Sequence, residues 1–234
     1  MAASTLLEFR TKTQNLAAAN LTRQEVRDTL AEIGVIPSLR PHSADDALFA
    51  AESLADAGLP IVEINVSSAE SLNAISHITE KLPNVMVGAA GLLDVEAAFR
   101  ALDLGAKFLS TSASIPEITA LSAQRDIALL CGAFTATEIV AAWKDGADFV
   151  KVFPCDAAGG HTYIRSLHAA LPDARLVASG GVNQLTGLSY IESGASALGV
   201  GRELVPRDAI RHHQGQQIRE LARRFLSFVR KGRS

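Results

Sequence analysis

Eight apolar, strand-like runs, each followed by a helical stretch, predict an α/β chain folded as a (β/α)8 TIM barrel with an N-terminal helical extension. A second observation is punctuation. Five helical stretches end on a glycine, and the next apolar run starts within a few residues, as in Glu32-Ile33-Gly34 before Val35. Glycine accepts the left-handed conformation that terminates a helix and turns the chain into a strand. The third observation is that the runs are mostly continuous rather than alternating, as befits parallel strands covered on both faces. A doubly wound open sheet shares this alternation, and the count of eight favours the closed barrel.

The elements follow in order. Residues 1–33 precede the first strand and read as one or two helices, with Val26, Leu30 and Ile33 on one face. Thr22…Glu25 has capping-box spacing, in which the two side chains satisfy free backbone N–H groups. Val35–Leu39 is the first strand and ends at Arg40; Asp56-Ala57-Gly58 leads into the second, Ile61–Val66. Ser67…Glu70 opens a helix whose Leu72, Ile75, Ile78 and Leu82 recur at helical spacing. Val85–Ala90 is third, and Asp103-Leu104-Gly105 introduces the fourth, Lys107–Ser112. Ser114…Glu117 marks the next helix, before Ile127–Ala133. Thr135…Glu138 opens a helix that closes at Lys144-Asp145-Gly146, ahead of Asp148–Pro154. Arg175–Gly181 is seventh, and Glu192-Ser193-Gly194 introduces Ala197–Val200. No linker or second domain is evident, so one domain over 1–234 is expected.

Composition narrows the function. A chain of 234 residues that is 48% hydrophobic and 20% charged can bury a full core, which excludes disorder. Its formal net charge of −3 offers no general attraction to nucleic acid or anionic membranes. Two cysteines, Cys131 and Cys155, are too few for a disulfide framework or a thiolate zinc site. The histidines show no His-x-His or His-x-x-x-His spacing, so no metal and no cofactor are expected. Glu8, Arg10 and Lys12 stand where a signal peptide needs an apolar run, and a cytoplasmic protein is expected.

Barrel active sites lie at the C-terminal ends of the strands, so charged residues inside strands are the informative ones. Lys151 lies between Val150 and Val152 in a run bounded by Phe149 and Phe153. Desolvation there favours the neutral, nucleophilic amine that Schiff-base chemistry requires; snorkelling from the strand end is the plainer alternative. Glu63 sits in Ile61-Val62-Glu63-Ile64-Asn65, and a buried carboxylate there can move protons or simply pair with a buried arginine. Together the two suit carbon–carbon bond chemistry at a pyruvate unit. Ser179-Gly180-Gly181 and Gly201-Arg202 close the last two strands, where phosphate sites of barrels form. Arg40, at the end of the first strand, can hold a carboxylate bidentately or stand there as an ordinary solvated arginine. Cys155 follows the lysine strand without a histidine partner and reads as a passive thiol.

With these residues assembled, the sequence resembles the 2-keto-3-deoxy-6-phosphogluconate aldolase family, which includes 6-phosphogalactonate-directed and 4-hydroxy-2-oxoglutarate enzymes. The resemblance runs in colinear order from about Gly34 to Pro206. It is carried by Val62-Glu63-Ile64, Phe134-Thr135-Ala136-Thr137-Glu138, Val150-Lys151-Val152-Phe153-Pro154, Ser179-Gly180-Gly181-Val182 and Gly201-Arg202-Glu203-Leu204. It implies a homotrimeric barrel, a Schiff-base lysine at Lys151 and a general acid/base at Glu63. It also implies phosphate contacts at Gly180, Gly181, Gly201 and Arg202. The expected reaction is reversible cleavage of a 2-keto-3-deoxy-6-phospho sugar acid to pyruvate and glyceraldehyde 3-phosphate. A pyruvate aldolase for an unphosphorylated or shorter keto acid, and a non-catalytic sugar-phosphate-binding barrel, are the alternatives.

The sequence also departs from the family pattern. The arginine usual after the glutamate strand is replaced within Val66-Ser67-Ser68, while Arg40 resembles the galactonate-directed arrangement. Gly88-Ala89-Ala90-Gly91 lacks the threonine usual near the pyruvate carboxylate, and Ser110-Thr111-Ser112-Ala113 replaces a Ser-Pro-Gly or Thr-Pro-Asn turn. Arg202 stands where many members have serine.

Overall fold

A computed structural model describes residues 21–234. The expected helix within residues 1–20 lies outside the described residues. Helix α1 (Arg23–Ile33) leads into β1 (Val35–Leu39), α2 (Ala44–Asp56), β2 (Ile61–Asn65), α3 (Ala69–Lys81) and β3 (Met86–Ala90). Then come α4 (Val95–Asp103), β4 (Phe108–Ser110), α5 (Pro116–Arg125), β5 (Ala128–Ala133), α6 (Ala136–Lys144) and β6 (Phe149–Val152). After a short 3-10 turn, α7 (His161–Ala170), β7 (Leu176–Ser179), α8 (Gly187–Glu192), β8 (Ala197–Val200), α9 (Arg207–Arg211) and α10 (Gly215–Gly232) complete the chain. The strands pair in sequence order, all parallel, and β8 closes onto β1.

Several strands are shorter than expected at the end that forms the barrel mouth. β6 stops at Val152, two residues before Pro154, which has no N–H to give the ladder. β7 stops at Ser179 because Gly180 turns to φ +82. Capping follows the expectation at Thr22–Glu25 and Thr135–Glu138. Elsewhere it shifts. Ser68, with Ser71, caps α3 in place of Ser67 and Glu70. No side chain caps α5, which starts on Pro116, whose fixed φ suits a first helical residue.

The N-terminal end of the barrel is closed. Arg23 of α1 pairs with Asp148 at 3.0 Å, and that carboxylate also accepts the Leu129 N–H at 2.9 Å. At the other end of the chain, Arg233 donates to the carbonyls of Glu32, Ala31 and Ser196 at 2.9, 2.7 and 2.6 Å. Helix α10 packs against α2 and α8, burying Ile218, Leu221, Ala222, Phe225, Leu226 and Val229. No helix among the described residues is long and apolar enough to cross a membrane.

Candidate active site

Strand register decides which side chains enter the barrel. Residues i and i+2 share a face, and paired residues on neighbouring strands point the same way. Ser38 pairs with Glu63, Glu63 with Gly88, and Gly88 with Phe108. Around the other side, Gly132 pairs with Lys151, and Lys151 with Val177. Glu63 and Lys151 therefore project into one interior from opposite parts of the ring.

There they meet. Lys151 Nζ donates to Glu63 Oε1 at 2.8 Å and to Ser110 Oγ at 2.9 Å. Glu63 is wholly buried and Lys151 is 6% exposed. Taking each charge out of water costs several kcal/mol, and a buried pair returns little net stability for it. A pair held on those terms is better explained by chemistry than by folding. The second carboxylate oxygen, Glu63 Oε2, is buried with no hydrogen-bond partner among the described residues. It faces the same interior with its lone pairs uncommitted.

Two close approaches shape this interior. A Cβ at Gly88 would lie 2.2 Å from the Phe108 ring, so that ring fills the space opposite a residue that has no side chain. With Ile36, Ile61, Met86 and Phe149, each at most 2% exposed, it forms an apolar floor one step below the ion pair. Gly132, beside the lysine, is crossed by the chain after β4; a Cβ there would come within 2.2 Å of the Ser112 carbonyl carbon. Thr111 Oγ1 accepts the Gly132 N–H at 2.9 Å and fixes that crossing.

The other expected site residues form two further groups. Ser179 is buried on the inner face. Gly180 and Gly181 follow it with φ of +82° and +80°. Cβ atoms at these positions would strike Pro154 Cα at 2.9 Å and the Asp156 carboxyl carbon at 2.4 Å. The glycine pair thus has a packing role beside any phosphate role, and it carries a carboxylate against it. Gly201 lies at the mouth, where the carbonyl accepts the Leu204 and Val205 N–H groups at 2.9 and 3.0 Å. Arg40 and Arg202 come together in one pocket of about 480 Å³, along with Ser38, Gln184, Glu203 and Arg207. Lys151 and Glu63 do not line that pocket.

Two participants escaped the sequence reading. Ser110 was detectable, because it stands two residues beyond Phe108 and so faces inward. Arg207 was not, since it reaches the pocket from α9, whose placement no periodicity gives. Cys155 is fully buried, and its Sγ approaches the Val152 carbonyl at 3.1 Å. Burial pushes this thiol up to about 12, so it remains protonated and passive at neutral pH.

Known proteins resemble this chain in sequence and in fold. The profile of the family described as "Aldolase: KDPG and KHG aldolase" matches residues 26–221. The chain is 28% identical over 209 residues to the 2-dehydro-3-deoxy-phosphogluconate aldolase of Pseudomonas aeruginosa, covering 88% of this chain and 95% of that protein. It is also 28% identical over 201 residues to the 2-dehydro-3-deoxy-6-phosphogalactonate aldolase of Escherichia coli, covering 85% and 94%. The fold matches that of KDPG aldolase from Legionella pneumophila with a TM-score of 0.78 at 23% identity, over 88% of this chain and 98% of that one.

Proposed function

Because the chain belongs to the KDPG and KHG aldolase family, we propose that it is a metal-independent lyase releasing pyruvate from a 2-keto-3-deoxy-6-phospho sugar acid, with Lys151 as Schiff-base nucleophile. The observation that carries this reading is the buried contact between Lys151 Nζ and Glu63 Oε1 at 2.8 Å. In its neutral form the lysine amine attacks the keto carbon, and loss of water leaves an imine. Glu63 then takes the proton of the C4 hydroxyl. The C3–C4 bond breaks, the aldehyde (glyceraldehyde 3-phosphate) departs, and the bonding electrons pass into the imine as an enamine. Glu63 returns the proton to C3, and water hydrolyses the imine to free pyruvate and lysine. Glu63 Oε2, unpartnered in the folded chain, is the atom suited to carry that proton.

In this reading Arg40, Arg202 and Arg207, which share one pocket, bind the anionic groups of the substrate, with Arg40 as a carboxylate clamp. None of these three guanidinium groups has a side-chain partner among the described residues. A second reading, a pyruvate aldolase for an unphosphorylated or shorter keto acid, is favoured by Asp156, whose carboxylate packs against Gly181 and repels a doubly charged phosphate there more than a singly charged or neutral group. Arginine binds carboxylate and phosphate alike, so substrate trials decide between the two.

Borohydride with pyruvate should add one reduced pyruvyl group, and peptide mapping should place it on Lys151. Arg202→Ala should raise KM for phosphorylated substrates about 10- to 150-fold, the cost of a lost charge-assisted contact of about 1.5–3 kcal/mol. An equal rise for unphosphorylated keto acids would remove the phosphate from this pocket.

Assembly as a cytoplasmic homotrimer belongs to the same proposal. Leu93, Val95, Phe99 and Trp143, large apolar residues on or beside the outer helices α4 and α6, are exposed and supply surface for self-association. Light scattering should give three times the 24.7 kDa chain mass, and a monomer at micromolar concentration would refute it.

A further inference from the structure

Strand β4 contributes one polar side chain to the interior. Its last residue, Ser110, is wholly buried, two positions beyond the Phe108 ring of the floor. The chain that follows is tied to β5. The Thr111 N–H donates to the Leu130 carbonyl at 3.0 Å, and Thr111 Oγ1 accepts the Gly132 N–H at 2.9 Å. Burying a hydroxyl is costly unless it is hydrogen-bonded, and the partner here is the Lys151 amine, 2.9 Å away. Glu63 already balances the lysine charge from 2.8 Å. Charge balance therefore does not require a second acceptor on the same nitrogen.

The ammonium form of the lysine has three N–H groups. One goes to Glu63 Oε1, one to Ser110 Oγ, and the third has no partner among the described residues. Loss of that third proton leaves a lone pair that no described group occupies. Once the nitrogen has bonded C2 as a protonated imine it keeps a single N–H, and two acceptors compete for it. A carboxylate paired with a cation is a weaker base, and Glu63 is the one carboxylate among the described buried residues. A serine oxygen can accept an N–H without giving up any basicity the reaction needs. We propose that Ser110 Oγ accepts the single N–H of the protonated imine on Lys151, leaving Glu63 free to move the proton at C3. In that step the C3–H bond breaks and Glu63 takes the proton. The bonding electrons form the C2–C3 double bond, and the C=N pair passes to nitrogen. The N–H stays on nitrogen throughout, held by Ser110. This inference rests on the Schiff-base reading of Lys151.

The test takes two readings from each protein at saturating pyruvate. A rapid borohydride quench counts the imine present, and exchange of the pyruvate methyl hydrogens into deuterated water reads proton transfer at C3. Their ratio counts only folded, loaded sites. In Ser110→Ala and Ser110→Cys the exchange per imine should fall about 10-fold, the low end of what a hydrogen bond to a charged group carries. Ser110→Thr keeps a hydroxyl and should stay within about threefold of wild type. In a Glu63→Gln background Ser110→Ala should change the ratio less than about twofold, because no carboxylate remains to capture the N–H. An unchanged ratio in Ser110→Ala, with or without less imine, would overturn the proposal and leave the serine a packing or imine-forming role. So would a threonine variant as slow as alanine, or a full further loss in the Glu63→Gln background. Any of these with normal wild-type labelling leaves the Schiff-base reading intact. Wild-type protein that traps no pyruvate would remove that reading itself, and this proposal with it.

Discussion

Replacing Lys151 with methionine is expected to lower turnover by about 10⁴-fold or more, the scale of loss that follows removal of a covalent nucleophile. Methionine fills a similar volume, and from the sequence alone the substitution looks harmless to the fold. The structure changes that expectation. Glu63 is wholly buried, and Lys151 is its one side-chain partner among the described residues. Removing one member of a buried ion pair costs about 3–5 kcal/mol, against a total stability of order 5–15 kcal/mol. The variant should therefore melt well below wild type, and activity alone would not distinguish lost chemistry from lost fold. Lys151→Met combined with Glu63→Gln leaves no uncompensated charge, so it should recover most of the stability and none of the turnover. Thermal denaturation and pyruvate labelling of all three proteins check both halves. Turnover in the double variant would end the assignment of Lys151.

Glu63→Gln is the second large effect, expected to slow turnover by about 10²- to 10⁴-fold, the usual contribution of a positioned proton carrier. The amide oxygen can still accept from Lys151 Nζ, so the amine stays in place and imine formation continues slowly. What is lost is the means to move a proton to and from C3. Exchange of the pyruvate methyl hydrogens into deuterated water, followed by NMR, reads that step directly and should fall with turnover. Exchange at the wild-type rate would assign the proton to another group.

The barrel was legible because its signs are local. Gly34 at φ +65° and Gly58 at φ +85° end or directly follow their helices as the sequence implied, and a single residue type is enough to mark each. The two buried charges were legible as candidates because a charge inside an apolar strand needs a reason, and β2 and β6 each carry one. Their meeting was not, since 88 residues separate Glu63 from Lys151 and only closure of the ring brings them together. Nor was the sharing of one pocket by Arg40 and Arg202, because it depends on β8 returning to β1. The capping errors have a smaller cause. Ser67 and Ser68 are equally able to cap, and the choice is made by where the backbone turns.

The aromatic plug at Gly88, together with the arginine and carboxylate ties beneath the strands, has a kinetic consequence. A tube stopped at one end handles its contents like a stack: what enters first leaves last. On the proposed chemistry, pyruvate joined to Lys151 just above the stopper would sit innermost, with the aldehyde fragment between it and the exit. In the cleavage direction the aldehyde must clear the opening before water can reach the remaining adduct. In the synthetic direction pyruvate must load before its partner. Order of addition and release is thus imposed by a phenyl ring and a missing side chain, without any moving part.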